Sequence, residues 1–253
     1  IAEDYLRILR LFRFHAWYGK GDIDREALAA VVRGKAGLAG LSGERISKEM
    51  LRLLEADEPV PVLRQMAATG ILSGVLPGAL DMERFAGVVA IESGHLFTCD
   101  PVLRLGALLD GGAAQREDVA KRWRLANKDR DRLAAMHGEE TKIVSFLSIR
   151  EVRRALYRLT PPVFKDRVML RWARDPKTSN APQWRALLAL ADSWERPAFP
   201  MTGHEVMAAG VPPGPKVGQI MQEVEDWWID SDFTDDKFSL IERLKAVVQA
   251  TIY

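Results

Sequence analysis

An all-α fold is predicted by three features of this sequence. Apolar residues recur at three- and four-residue spacing along most of the chain, no stretch alternates with period two for the length of a strand, and capping or helix-breaking residues punctuate the pattern. Residues 3–18 set Leu6, Leu9 and Phe12 on one stripe, with Gly19 and Gly21 placed to end the helix. Asp24 caps a run through Ala27, Leu28, Val31 and Val32, and Ser42 caps another through Ile46, Met50, Leu53 and Leu54. Pro59 and Pro61 precede a helix over 62–69. A Gly/Pro-punctuated loop then passes Gly74, Pro77 and Gly78, before helices near 81–93 and 101–110. Beyond the glycine pair at 111–112, helical patterns fall at 115–125, 128–137, 149–159, 161–173, 182–194, 203–209, 214–229 and 235–250. Asn127, Ser148 and Thr234 stand as caps among them.

The 253 residues, 47% hydrophobic and 28% charged, suit a globular chain of about two domains. Cys99, the single cysteine, has no partner for a disulfide or a CxxC pair, and no apolar run reaches the roughly 18 residues of a membrane span. A cytoplasmic location is expected. The chain starts at Ile1 inside a helical pattern, so it is expected to be a piece of a longer protein. Net charge is only +1, but its distribution is uneven. From Arg116 to Arg185 there are eighteen Lys/Arg against nine Asp/Glu; from Asp192 to Lys245, eleven acidic against five basic. The basic middle suits phosphates; arginines at helical spacing are also what a solvated helix face carries.

Asp4 and Arg7, at i and i+3, offer an acceptor beside a donor. Cytosine and adenine both present an exocyclic amino donor next to an unprotonated ring nitrogen, which matches that order, whereas uracil and guanine reverse it. By itself the pair also reads as an ordinary weak ion pair at a helix start.

The run Glu3-Asp4-Tyr5-Leu6-Arg7-Ile8-Leu9-Arg10-Leu11-Phe12-Arg13-Phe14 resembles the EDxxRxLRxxRF segment of bacterial class II tRNA nucleotidyltransferases, the CCA-adding enzymes, and of the related bacterial poly(A) polymerases. Three further blocks follow in the family's order. Ser42-Gly43-Glu44-Arg45-Ile46 with Glu49-Met50-Leu51 and Leu53-Leu54 is similar to SxERIxxELxxLL, Gly70-Ile71-Leu72 with Val75-Leu76-Pro77 to a GLL…LPE turn, and Gly203-His204-Glu205-Val206 with Gly210 through Gly218 to GxDL…GxxPGPxxG. Tyr5 replaces a frequent proline, and Glu205-Val206 stands for Asp-Leu.

The resemblance implies the helical neck (1–80), body (81–145) and tail (146–253) of an enzyme that adds C, C and A to tRNA 3′ ends from CTP and ATP, or extends RNA with A. A non-catalytic helical RNA-binding module is the other alternative. It implies that Asp4 and Arg7 pair with the incoming base, that Glu3, Arg10 and Arg13 support the nucleotide or the motif, and that Arg45 and Glu49 brace the motif from the neighbouring helix. Mg²⁺ would be held by paired aspartates of a catalytic head outside this chain, leaving the piece inactive alone. The Asp129-Arg130-Asp131 triplet does not replace them, since carboxylates two apart on a helix diverge by about 200°. His15, His95, His137 and His204 lack partners at metal spacing, and no metal site is expected in the chain. The acceptor arm and elbow of tRNA are the expected partner, met by Arg150, Arg153, Arg154, Arg158, Lys165, Arg167 and Arg171. Lys216, after Gly214-Pro215, sits where a helix start would offer free N–H groups to phosphate; a rigid turn is the alternative reading there.

Overall fold

A computed structural model describes residues 4–138, 141–175 and 177–252, with side chains through residue 250. Fifteen α-helices and two 3₁₀ turns occur among the described residues, and an isolated antiparallel bridge between Leu80 and Leu109 is the extent of β pairing there. The all-α expectation holds. The chain divides into two compact units, 1–145 with 165–186, and 146–164 with 187–253.

The first unit opens with α1 (Leu6–Tyr18), α2 (Arg25–Gly34), a 3₁₀ turn (Lys35–Gly40), α3 (Gly43–Leu54), α4 (Pro59–Ala68) and α5 (Ile71–Val75). Leu6, Ile8, Leu9 and Phe12 of α1 and Ile46, Met50, Leu53 and Leu54 of α3 are all buried, so each helix presents one apolar stripe to the core. Asp24 caps α2 by accepting from the Ala27 N–H at 2.9 Å. Ser42 is the N-cap residue of α3 but makes no side-chain capping bond. The sequence pattern misses α5, which is too short for helical periodicity to show and starts after Gly70, whose left-handed φ of 72° breaks the chain from α4.

Next come α6 (Met82–Gly94), α7 (Pro101–Leu108), α8 (Gly112–Arg122) and α9 (Asn127–Ala135), followed by parts of α11 (Pro161–Trp172) and α12 (Ala181–Asp192). Asp100 caps α7 through the Val102 and Leu103 N–H groups, at 3.0 and 3.1 Å. Arg132 of α9 bridges Asp100 at 2.6 Å and Asp166 of α11 at 2.7 Å. Buried arginines tie backbone to backbone. Arg104 of α7 pairs with Glu92 of α6 and donates to the carbonyls of Leu54 and Ala56, the latter at 2.7 Å. At the opposite end of α3, a Cβ on Gly43 would lie 2.0 Å from the Arg122 carbonyl oxygen at the end of α8, an approach only glycine permits.

The second unit contains α10 (Ile149–Leu159), α13 (Gly203–Ala208), α14 (Pro215–Asp230) and α15 (Lys237–Ile252), with the remainders of α11 and α12. Its core joins Val206, Val211, Ile220, Val224, Leu240 and Leu244 to an aromatic cluster in which Trp228 meets Tyr157 and Phe233 edge to face. Ser148 and Glu151 form a capping box on α10, and Thr202 and Glu205 another on α13. Glu205 is also bound by Lys237 at 2.7 Å; this partner, then the Thr202 hydroxyl and N–H, hold its carboxyl far below the ordinary 4.5. A depressed native value stabilises above the unfolded one and is lost as pH falls toward the native one. In urea unfolding, Glu205→Gln should therefore lower the midpoint by a constant amount above about pH 5, and the gap to the parent should narrow below about pH 4.5. A gap that does not change with pH would count against the charge as its source.

Candidate functional site

The site grows out of how α1 begins. Asp4 lies just ahead of the helix, where its Oδ1 accepts from the otherwise unpaired Leu6 N–H at 3.0 Å. From α3, the Arg45 Nη2 donates to both oxygens of the same carboxylate, at 3.0 and 2.9 Å. The Leu6 N–H first, and then Arg45, hold the Asp4 carboxyl below its ordinary 3.8, so it is a fixed anion at neutral pH. Arg7 is exposed in the first turn of α1.

One α-helical turn beyond Arg45, Glu49 is buried and reaches back to α1. It accepts from Arg10 Nε at 3.3 Å and Arg13 Nε at 2.6 Å. Arg45 and Glu49 thus both reach across to α1. A single carboxylate holds two guanidiniums of successive turns, and a single guanidinium holds the carboxylate at the helix start. Further along, the Trp17 Nε1 donates to the Arg52 carbonyl at 2.6 Å, and the Arg52 guanidinium lies 4.0 Å from the Trp17 ring centre. An open cleft of about 710 Å³ runs over this seam, bordered by Arg10, Arg13, Arg45, Lys48, Glu49 and Arg52. Lys48 and Arg52 were not among the residues singled out from sequence, although Lys48 is three residues from Arg45, Arg52 three from Glu49, and the two are four apart, which puts them on the same face. Glu3 lies outside the described residues.

The basic array is differently arranged. On α10, Arg150 donates to the Asp230 carbonyl at 3.2 Å, Arg153 pairs with Asp232 at 2.8 Å, Arg154 with Asp230 at 3.0 Å, and Arg158 with Asp226 at 3.2 Å. The positive face of α10 is laid against the acidic end of α14 and the turn after it. Arg167 is buried in α11, where it donates to the Ala135 and His137 carbonyls at 3.0 Å each. Arg171 is exposed, Lys165 half-buried, and Lys216 exposed in the first turn of α14. Of the seven cations from Arg150 to Arg171, the four on α10 belong to the second unit and Lys165, Arg167 and Arg171 to the first. No group of three or more His, Cys, Asp or Glu side chains converges on a metal-sized site among the described residues, and Asp131 is bound by Arg130.

Known proteins resemble this chain both in sequence and in helical fold. Residues 22–82 match a family model described as "Probable RNA and SrmB- binding site of polymerase A". Over 97% of its length the chain is 28% identical to the mitochondrial CCA tRNA nucleotidyltransferase 1 of Mus musculus, of which it covers 56%. Among solved structures, the Bacillus stearothermophilus CCA-adding enzyme in complex with CTP superposes with a TM-score of 0.69 at 21% identity, over 98% of this chain and 64% of that one. The Thermotoga maritima CCA-adding enzyme complexed with tRNA gives 0.59 at 17% identity, over 98% of this chain and 62% of that one. Over almost its whole length the chain is thus similar in sequence to CCA tRNA nucleotidyltransferases and in fold to CCA-adding enzymes. It spans about half the length of the curated relatives it matches, 56% in each of three vertebrate cases.

Proposed function

We propose that this chain is the nucleotide-selecting and RNA-binding portion of a tRNA nucleotidyltransferase that adds CCA to tRNA 3′ ends from CTP and ATP. The observation that carries this reading is the Asp4 carboxylate, ionised and clamped between the Leu6 N–H and Arg45, two residues that border an open cleft. A fixed acceptor of that kind rewards the amino groups of cytosine and adenine and faces the carbonyl oxygens of uracil and guanine with an unpaired negative charge. Arg7 supplies the donor for the ring nitrogen, and Glu49 keeps Arg10 and Arg13 in place beside it. Phosphoryl transfer would draw on Mg²⁺ held elsewhere in the parent enzyme, because the described residues do not fit such an ion; this chain's part is to bind, orient and choose.

The RNA partner is supported by the matched family description and by the tRNA complex among the structural neighbours. At α10 any phosphate must compete with the α14 carboxylates. The threefold division into neck, body and tail remains part of the proposal.

The test is incorporation of labelled CTP, ATP, UTP and GTP into tRNA lacking its 3′ end, by the full-length parent and its Asp4→Ala and Arg7→Ala variants. A mispaired buried polar group costs about 1–3 kcal/mol, so discrimination against UTP and GTP should fall by roughly five- to 150-fold per variant. Unchanged discrimination in both variants would overturn the assignment. A second reading, addition of A alone to RNA, is favoured by the polymerase wording of the matched family, and incorporation of ATP without CTP would select it.

A further inference from the structure

We propose that a cavity of the first unit, remote in sequence from the α1–α3 cleft, is a binding site for a phosphate group. The cavity has a volume of about 220 Å³ and is lined by Arg84, Arg116, Arg167, Arg171, Arg174 and His137, with Asp110 as its one carboxylate among the described residues. Five guanidiniums on α6, α8 and α11 and the turn after α11 converge on one small volume.

What surrounds these cations sets them apart from ordinary surface arginines. Arg84 and Arg116 are 8% and 4% exposed. Arg84 donates to the carbonyls of Ala107 and Leu109, at 2.7 and 2.6 Å, and Arg116 to those of Gly112 and Leu109, at 3.0 and 2.9 Å. Both guanidiniums thus bind the same Leu109 oxygen. Carbonyl dipoles orient a guanidinium but do not cancel its charge, and two like charges brought onto one oxygen repel. Burial, and then Arg84, push the Arg116 guanidinium down to about 10, which still leaves it cationic at neutral pH.

Two carboxylates answer this group of cations. Asp110 receives Arg84 at 3.3 Å and Arg174 at 2.9 Å, while Asp81 is held chiefly by Arg174. Among the described residues Arg116 has no carboxylate partner, and its Nε is buried without a hydrogen-bond partner there. Arg171 lines the cavity too, exposed and with no side-chain hydrogen bond or ion pair among the described residues. An oxyanion with several acceptor oxygens would satisfy the buried Nε, relieve the Arg84–Arg116 repulsion and draw Arg171 inward. Phosphate is the biological group with that valence and size. It could arrive as a free phosphate or diphosphate, or as a phosphodiester of RNA.

The experiment is calorimetric titration of the whole chain with inorganic pyrophosphate, with sodium chloride of matched ionic strength as the blank. A parallel titration uses a short single-stranded RNA without terminal phosphates. One saturable site for pyrophosphate is expected, weakened at least about tenfold by Arg171→Glu, a change at an exposed residue that leaves the core intact, and likewise by Arg116→Gln checked for folding by circular dichroism. RNA that competes with pyrophosphate and loses affinity in the same variants identifies the phosphodiester as the source. RNA that does not compete identifies the free anion. Absence of saturable pyrophosphate binding, or binding indifferent to both substitutions, overturns the proposal. Asp4→Ala and Arg7→Ala should leave this binding unchanged, so it stands or falls apart from base selection.

Discussion

Arg104→Met is expected to destabilise the chain by about 3–5 kcal/mol, the usual cost of stripping one partner from a buried ion pair. The Arg104 and Glu92 side chains are 4% and 2% exposed. Burial already raises the Glu92 carboxyl above its ordinary 4.5, against the pull of Arg104. Without the guanidinium, Glu92 keeps the Asp100 N–H at 3.1 Å but loses its counter-charge, and the Leu54 and Ala56 carbonyls lose their donor. Those carbonyls belong to the end of α3 and the turn after it, so a cation is withdrawn from the negative end of the helix that carries Arg45 and Glu49. The check is urea unfolding of the single variant beside Arg104→Met/Glu92→Met. The double variant removes both charges and should recover a large part of the loss. A double variant no better than the single one would show that the carbonyl contacts, not the ion pair, dominate.

Trp123→Ala should cost a similar amount, about 3–5 kcal/mol, by opening a large cavity. Trp123 has no exposed surface, and its indole N–H donates to the Val75 carbonyl at 2.9 Å. Trp123→Phe separates the two contributions, because it keeps most of the apolar volume and leaves that carbonyl unpaired, for about 1–3 kcal/mol. Equal losses in the two variants would mean that the hydrogen bond outweighs the packing. Trp123 ends α8 beside the Arg122 carbonyl that closes on Gly43, and Arg104 grips the far end of α3. The helix that positions Asp4 is therefore held at both ends by the helices behind it.

The long helices were legible because each buries a stripe of three or more apolar residues, and Leu6, Leu9 and Phe12 or Ile46, Met50 and Leu53 announce that stripe directly. Boundaries were less legible where several small polar residues compete to cap. Asn127 is the first residue of α9, with Ala126 in the capping position, and at α15 the carboxylate of Asp236, two residues after Thr234, accepts from the Ser239 N–H. At the candidate site, local spacing put Asp4 near Arg7 and Arg45 near Glu49. The contacts that organise it join residues 36 to 41 positions apart, and only the family resemblance suggested them. The buried arginines were invisible for a related reason. Arg84, Arg104 and Arg116 each donate to two or more backbone carbonyls, which leave no trace in side-chain patterning. Charge segregation was plain in the sequence, but the carboxylates that meet the α10 arginines follow 68 to 79 residues later.

That pairing of α10 with α14 bears on how the second unit responds to ionic strength. A bare cation that meets a nucleic-acid phosphate frees most of one condensed counterion, which gives about 0.7–0.9 of an ion per contact. Where Arg153 or Arg158 leaves Asp232 or Asp226 to meet a phosphate, the abandoned carboxylate draws a cation from solution in its place. Ions released at the nucleic acid are taken up again at the protein. RNA contacts made through this helix would therefore show a shallow salt dependence, and counting its arginines from a log–log salt plot would give too few.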